Sequence, residues 1–250
     1  MVKKALKKIL DPKNSNVKNV LVVVLISAIV SFVVNKVTIA SNIRSAVEKD
    51  VDIIIKPIEK GMKEKQEKAQ REAQELATKK GPEMAKKMAT KEGNPVLGNK
   101  NGSKVVVEFF DYACGHCKRE AMELEKLIKE DKDVKVVLAD LPILSQQSLT
   151  AAQIGVYIYK VNQKKFADYY VAVAKRNVDP ASLKSIVKSL GFGEDIIKKA
   201  EEDKDVRSVI EGNYEAAKEL NIQGTPALLV GNKFVGGMIS GNDIKAMLNR

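Results

Sequence analysis

A chain of 250 residues can hold one domain of ordinary size and an appendage. Its formal net charge of +11 raises nucleic acid as a partner, but the basic side chains are mostly lysines, interleaved with Glu and Asp along the whole chain. No Arg-rich or aromatic-studded strip exists to grip phosphates or stack bases, so the charge describes a solvated Lys-rich surface and no nucleic-acid partner is expected.

The chain opens as a targeting segment. Lys3, Lys4, Lys7, Lys8, Lys13 and Lys18 precede an uncharged run from Asn19 to Asn35, whose apolar core is Val20–Val34. As a helix this run spans about 25 Å, short for a bilayer core of about 30 Å but usable if the flanking lysines snorkel. The best cleavage candidate, Thr38-Ile39-Ala40, is poor because small residues are preferred at both ends of such a triplet. Residues 1–40 are therefore read as a basic N-terminus with an uncleaved signal-anchor, a cleaved signal peptide being the alternative. Either way the basic side stays in the cytoplasm and the chain after Ala40 is exported. The rest of the chain is expected on the outer, periplasmic or extracytoplasmic side, membrane-anchored, or released to the periplasm if the signal is cleaved.

Residues 41–93 read as a helical arm without a core of its own. Ile43, Val47, Val51, Ile54, Ile58 and Met62 form one apolar stripe at helical spacing. Pro57 is expected to kink or interrupt the helix, Lys63–Lys80 to be solvated, and Gly81-Pro82 to break it. The arm is either a passive stalk or an oligomerisation device that buries the stripe against copies of itself.

Turn chemistry in Glu92-Gly93-Asn94-Pro95 and Gly98–Gly102 places the start of the next domain near Asn94. Its first strand, Lys104–Phe110, has apolar residues on both faces, as in a central parallel strand. Glu108 then sits in an apolar layer behind the two cysteines, as a buried proton acceptor with a raised pKa. The reading set against this is a Glu at an exposed edge. The chain's two cysteines, Cys114 and Cys117, follow with two residues between them, a spacing that chance gives about once in a hundred tries. On the first turn of a helix after a strand, this spacing suits a reversible disulfide, the helix N-terminus lowering the first thiol's pKa. Two other readings stay open: a two- or three-coordinate soft-metal site that includes His116, and a structural disulfide. Zinc would want four ligands and no further Cys or His exists. A loop this short would also constrain the unfolded chain very little. No metal and no cofactor is assigned.

A helix Cys114–Glu130 and a strand Val134–Ala139 follow. Leu141-Pro142-Ile143-Leu144 then leads into candidate helices Ala151–Val161, Lys164–Ala174, Pro180–Leu190, Gly193–Asp203 and Asp205–Leu220. Pro226–Val230 and Lys233–Val235 read as strands joined by the Gly231-Asn232 hairpin turn, and Ser240–Leu248 as a closing helix.

This order resembles an α/β thioredoxin fold spanning 94–250, with an inserted helical subdomain at about 146–204. The chain resembles DsbA-family thiol–disulfide oxidoreductases, nearer the ScsC/Com1-like branch than DsbA itself. The residues carrying the resemblance are Asn94–Asn99, Val107–Tyr112, Cys114-Gly115-His116-Cys117-Lys118, Leu141–Leu144 and Ile222-Gln223-Gly224-Thr225-Pro226-Ala227. It implies that Cys114 attacks and Cys117 resolves. It also implies that Pro226 is a cis-proline beside the disulfide, and that Thr225, Pro226 and Gly115 meet an extended substrate. Gly115-His116 is the pair found in protein disulfide isomerase, so His116 is expected to stabilise the Cys114 thiolate. On family precedent the potential then lies between about −120 and −200 mV. The implied partners are cysteine-containing exported proteins, a redox partner protein in the membrane, and further copies of the chain, a trimer favoured. The Lys-rich flanks of the stripe argue against self-association. The competing function is a membrane-anchored copper-binding or surface structural protein that keeps the fold.

Overall fold

The computed structural model describes residues 15–249, with the side chains of 15–22, 40, 42–54, 66, 69, 70 and 73 left out. The basic residues before Ser15 and the stripe positions Ile43, Val47, Val51 and Ile54 therefore lie outside the described side chains. The described residues divide after Glu67 into two compact units.

In the first unit the apolar run is helical, and Val23, Leu25, Ile29, Phe32 and Val37 are all exposed. Among the described residues no helix is long and apolar enough to cross a membrane. Ile58 and Met62, the described members of the stripe, are exposed.

Helix α1 is assigned as Ser15–Thr90: it runs through Pro57 without interruption, and it runs through Gly81-Pro82, where the sequence expectation is a break. The reason at the second site is packing. Ala77, Met84, Ala85 and Met88 are buried in one cluster with Val107, Phe109, Val137 and Leu229. Gly81 lies against the sheet, where an added Cβ would meet the Leu229 side chain at 3.1 Å. Burying such side chains contributes about 1.5–3 kcal/mol each, comparable with the cost of one proline in a helix interior.

The second unit holds a five-stranded sheet in the order β1-β3-β2-β4-β5. Its strands are β1 (Val96–Gly98), β2 (Lys104–Phe110), β3 (Val134–Asp140), β4 (Ala227–Val230) and β5 (Lys233–Gly236). Strand β2 is central, parallel to β3 with Glu108 opposite Leu138, and antiparallel to β4 with Glu108 opposite Leu228. Its alternate faces enter two different cores. Val106 and Phe110 join the cluster beneath α2 (Gly115–Glu130) and the helical block, while Val107 and Phe109 join the cluster beneath α1.

Strand β1, which pairs antiparallel with β3, is absent from the sequence reading because it is three residues long between two turn segments and ends at Gly98, φ +75°. The helical block comprises α3 (Gln146–Val161), α4 (Gln163–Ala174), α5 (Pro180–Ser189), α6 (Asp195–Glu202) and α7 (Lys204–Glu219). Helix α3 begins five residues earlier than expected because the Ser145 hydroxyl accepts from Ser148 N at 3.1 Å and caps it. Gly231-Asn232 makes the expected two-residue hairpin turn, pairing Val230 with Lys233. Helix α8 (Gly241–Leu248) closes the chain, capped by Ser240. At the sheet edge, the Gln74 side-chain amide of α1 donates to the Phe234 carbonyl at 3.0 Å.

Candidate active site

Where β2 ends, Asp111 folds the chain back. Its buried carboxylate accepts from Ala113 N at 2.7 Å through Oδ1 and from Leu144 N at 2.9 Å through Oδ2, and its carbonyl accepts from Cys114 N at 3.0 Å. One side chain thus shapes the turn before the cysteines and ties it to the entrance of the helical block. Cys114 is the N-cap of α2 in extended backbone, φ −71° and ψ 119°, with no side-chain cap, so its sulfur lies where the first free N–H groups of the helix point.

Both cysteines are free thiols and buried. They differ in what surrounds them. Burial acts to raise the Cys114 thiol, but the backbone N–H groups of Cys117 and His116, the Cys117 thiol and the Thr225 side chain outweigh it and hold Cys114 below its ordinary value. Cys117 is raised far above the thiol range, first by burial and then by the charge of Glu108. The Cys114 thiol also donates to the Thr225 carbonyl at 3.3 Å. The Thr225-Pro226 peptide bond is cis. Beside it runs a groove of about 400 Å³ lined by Gln74, Ile222, Thr225, Pro226 and Phe234. A side chain at Gly115 would meet nothing within 4 Å, so the approach to the sulfurs is open there.

Glu108 is fully buried on β2. The Tyr170 hydroxyl donates to its Oε2 at 3.0 Å, and Oε1 has no hydrogen-bond partner among the described residues. Burial raises its pKa well above the carboxylate range, with the charges of Glu120, Asp140 and Cys114 adding to the rise and the Tyr170 bond opposing it. The exposed-edge alternative for Glu108 is overturned, because β2 is the central strand. His116 stands apart from this cluster. Its ring is exposed and its Nδ1 lies 2.8 Å from Arg119 Nη2, so it accepts from the guanidinium, and the contact His116 makes to Cys114 is its backbone N–H.

Sequence reasoning missed Asp111, Tyr170, Glu120 and Asp140. Asp111 had a signal, an Asp two residues before a turn amide. Glu120 and Asp140 are fully buried, and nothing in a Lys/Glu-rich helix or at a strand end marks them as such. Among the described residues no group of three or more His, Cys, Asp or Glu side chains could hold a metal ion. A larger depression of about 770 Å³, lined by Asn94, Lys100, Lys135 and Tyr159, has none of the site residues in its wall.

A thioredoxin family model matches residues 90–250. Disulfide bond formation protein D of Bacillus subtilis is 26% identical over 171 residues, covering 64% of this chain and 77% of that protein. Among solved structures, the thiol-disulfide exchange protein alpha-DsbA2 from Wolbachia pipientis is similar with a TM-score of 0.62 and 26% identity, over 72% of this chain and 95% of that one. A linker-deleted variant of ScsC from Proteus mirabilis has a TM-score of 0.64 and 26% identity, over 81% of this chain and 93% of that one.

Proposed function

Because the chain belongs to the thioredoxin family and is a DsbA-like thiol–disulfide oxidoreductase, we propose that it exchanges disulfides on exported proteins, with Cys114 as the attacking and Cys117 as the resolving sulfur. One observation carries this reading: two thiols a turn apart, one held below its ordinary pKa at a helix N-terminus and the other pushed up beside a buried carboxyl. The Cys114 thiolate attacks one sulfur of a substrate disulfide, forming a mixed disulfide and releasing the other sulfur as a thiolate that takes a proton from water. Cys117 then loses its proton to the Glu108 carboxylate and attacks the Cys114 sulfur. The Cys114–Cys117 bond forms, and the bond to substrate breaks with its electron pair on the departing sulfur. Run in reverse, the same steps oxidise a dithiol. Thr225 and Pro226 present backbone to an extended peptide, and the open Gly115 leaves it room.

The His116 ring tunes the potential in this reading. His116→Ala should make the disulfide less oxidising by a few tens of mV in a glutathione titration. No change would leave His116 its backbone N–H alone.

The reading places the active site outside the membrane, anchored through the apolar helix around Val23–Val34, and assembles copies through the arm, with a trimer favoured. Exposed Ile58 and Met62 support the latter. Residues 41–250 and 68–250 should be compared by light scattering and by refolding of scrambled ribonuclease. The expected result is an isomerase oligomer for the first and a dithiol-oxidising monomer that isomerises poorly for the second. A monomeric long form, or full isomerase activity in the short one, leaves the arm a stalk.

A further inference from the structure

The groove beside Thr225-Pro226 has a wall that neither the strands nor the cysteine loop supplies. Gln74, on α1, lines it together with Ile222, Thr225, Pro226 and Phe234, and its side-chain amide donates to the Phe234 carbonyl at 3.0 Å. Less than one turn further along α1, Ala77 is fully buried in the same cluster as Ala227, and Ile222 and Phe234 pack against that cluster. The burial continues with Met84 and Met88 and holds this part of α1 on the sheet. A single exposed hydrogen bond adds little to such docking, so what Gln74 contributes is a polar group in the wall of the groove.

The groove begins at the reacting sulfur, because the Cys114 thiol donates to the Thr225 carbonyl at 3.3 Å and Thr225 is part of the wall. None of the side chains in that wall is charged, in a chain that is 30% charged. A charged side chain entering it would lose water without meeting a counter-charge, and an uncharged one would not pay that cost. Among the polar side chains of the wall, Gln223 donates to Asn221 Oδ1 at 2.5 Å, so these two are engaged with each other. Gln74 spends one N–H on Phe234, which leaves its other N–H and its Oε1 for a guest.

We propose that Gln74 is a specificity-determining residue of the exchange reaction: α1 forms one side of the substrate groove, and Gln74 contacts the uncharged stretch of an extended polypeptide next to its reacting cysteine. This rests on the exchange reading above. It gives the end of the arm a task at the active site that is separate from any assembly of copies, and residues 68–250 retain it.

The test uses reduced full-length protein as wild type, Gln74→Ala and Gln74→Glu. Each is mixed with an excess of short peptides whose one cysteine is activated as a thiopyridyl disulfide. Attack by Cys114 on the peptide sulfur forms the mixed disulfide, and the other sulfur leaves as thiopyridone, which is read by absorbance. The peptides differ only in the residues flanking the cysteine, which are neutral, Glu or Lys. Dithiodipyridine, small and uncharged, is the control, and physiological salt screens charges farther away than about 8 Å. The wild type should react fastest with the neutral peptide. Gln74→Ala should slow that reaction about three- to tenfold, the worth of one net hydrogen bond, and leave the dithiodipyridine rate unchanged. Gln74→Glu should make the Lys peptide the fastest of the three and the Glu peptide the slowest. The same ranking of peptides in all three proteins, a wild type indifferent to flanking charge, or an equal loss with dithiodipyridine would overturn the proposal and leave Gln74 a helix anchor. A wild type that reacts with neither dithiodipyridine nor any peptide would overturn the exchange reading instead.

Discussion

Three buried carboxyls whose pKa values burial raises, Glu108, Glu120 and Asp140, should leave a signature in stability. Glu120 rises from 4.5 to about 7 on folding, chiefly through burial, with Glu123 adding to the rise and the Ile239 amide opposing it. A carboxyl whose folded pKa is raised favours the native state most when protonated. Its contribution is complete below the unfolded value and is lost as pH climbs through the folded one. The window is therefore about pH 4.5 to 7 for Glu120, and the amount lost is about 3 kcal/mol. Glu108 and Asp140, both raised well above their ordinary values by burial, continue the decline at higher pH. Glu120→Gln cannot ionise, so it should remove the Glu120 part of this slope. At pH 5 the variant and the wild type should unfold alike, and at pH 8 the variant should be the more stable by about 2–3 kcal/mol. Urea unfolding of the reduced proteins at half-unit pH steps measures it. Parallel curves from pH 5 to 8 would show that Glu120 is not buried as an acid, and the reasoning would fail.

Alkylation of the reduced protein at pH 7 should modify Cys114 at least about tenfold faster than Cys117, and equal rates would contradict the helix-terminus assignment. Asp111→Ala removes the acceptor for Ala113 N and Leu144 N, two part-buried bonds to one carboxylate, and should cost about 2–4 kcal/mol in denaturant titration, with Asp111→Asn in between. A loss under 1 kcal/mol would mean that these amides find other partners. Met84→Ala should cost about 2–4 kcal/mol while Met62→Ala, at an exposed position, should leave the second unit unmoved; similar small effects would deny that the end of α1 belongs to the core.

What could be read in advance follows from which signals are local. Lys104–Phe110, the Gly231-Asn232 hairpin and the Asp179-capped α5 are written in periodicity and turn chemistry, and they stand where expected. Cys114 and Cys117 announce themselves by spacing, and Pro226 by resemblance. The end of α1 was misread because Gly81-Pro82 is a local stop signal, and what overrides it is burial of Met84 and Met88 against strands far away in sequence. Strand β1 is three residues that pair only because β3 offers an edge. Glu120 is one glutamate among several on α2 until the loop at Ile239 closes over it. The contact between His116 Nδ1 and Arg119, one helical turn on, is another feature that no spacing rule announces.

The hydrogen bond from Gln74 to Phe234 bears on how the protein behaves in a crowded compartment. Strand β5 is one edge of the sheet and borders the groove beside Thr225-Pro226, so its outward carbonyls could serve as a template for any unfolded chain that lingers. The amide of Gln74 occupies the Phe234 carbonyl from outside the sheet, and exposed Lys233 puts a charge on the same strand. On the exchange reading proposed above, this guards the edge against pairing strand to strand with an unfolded substrate, and releasing Gln74 is expected to turn a transient encounter into aggregation.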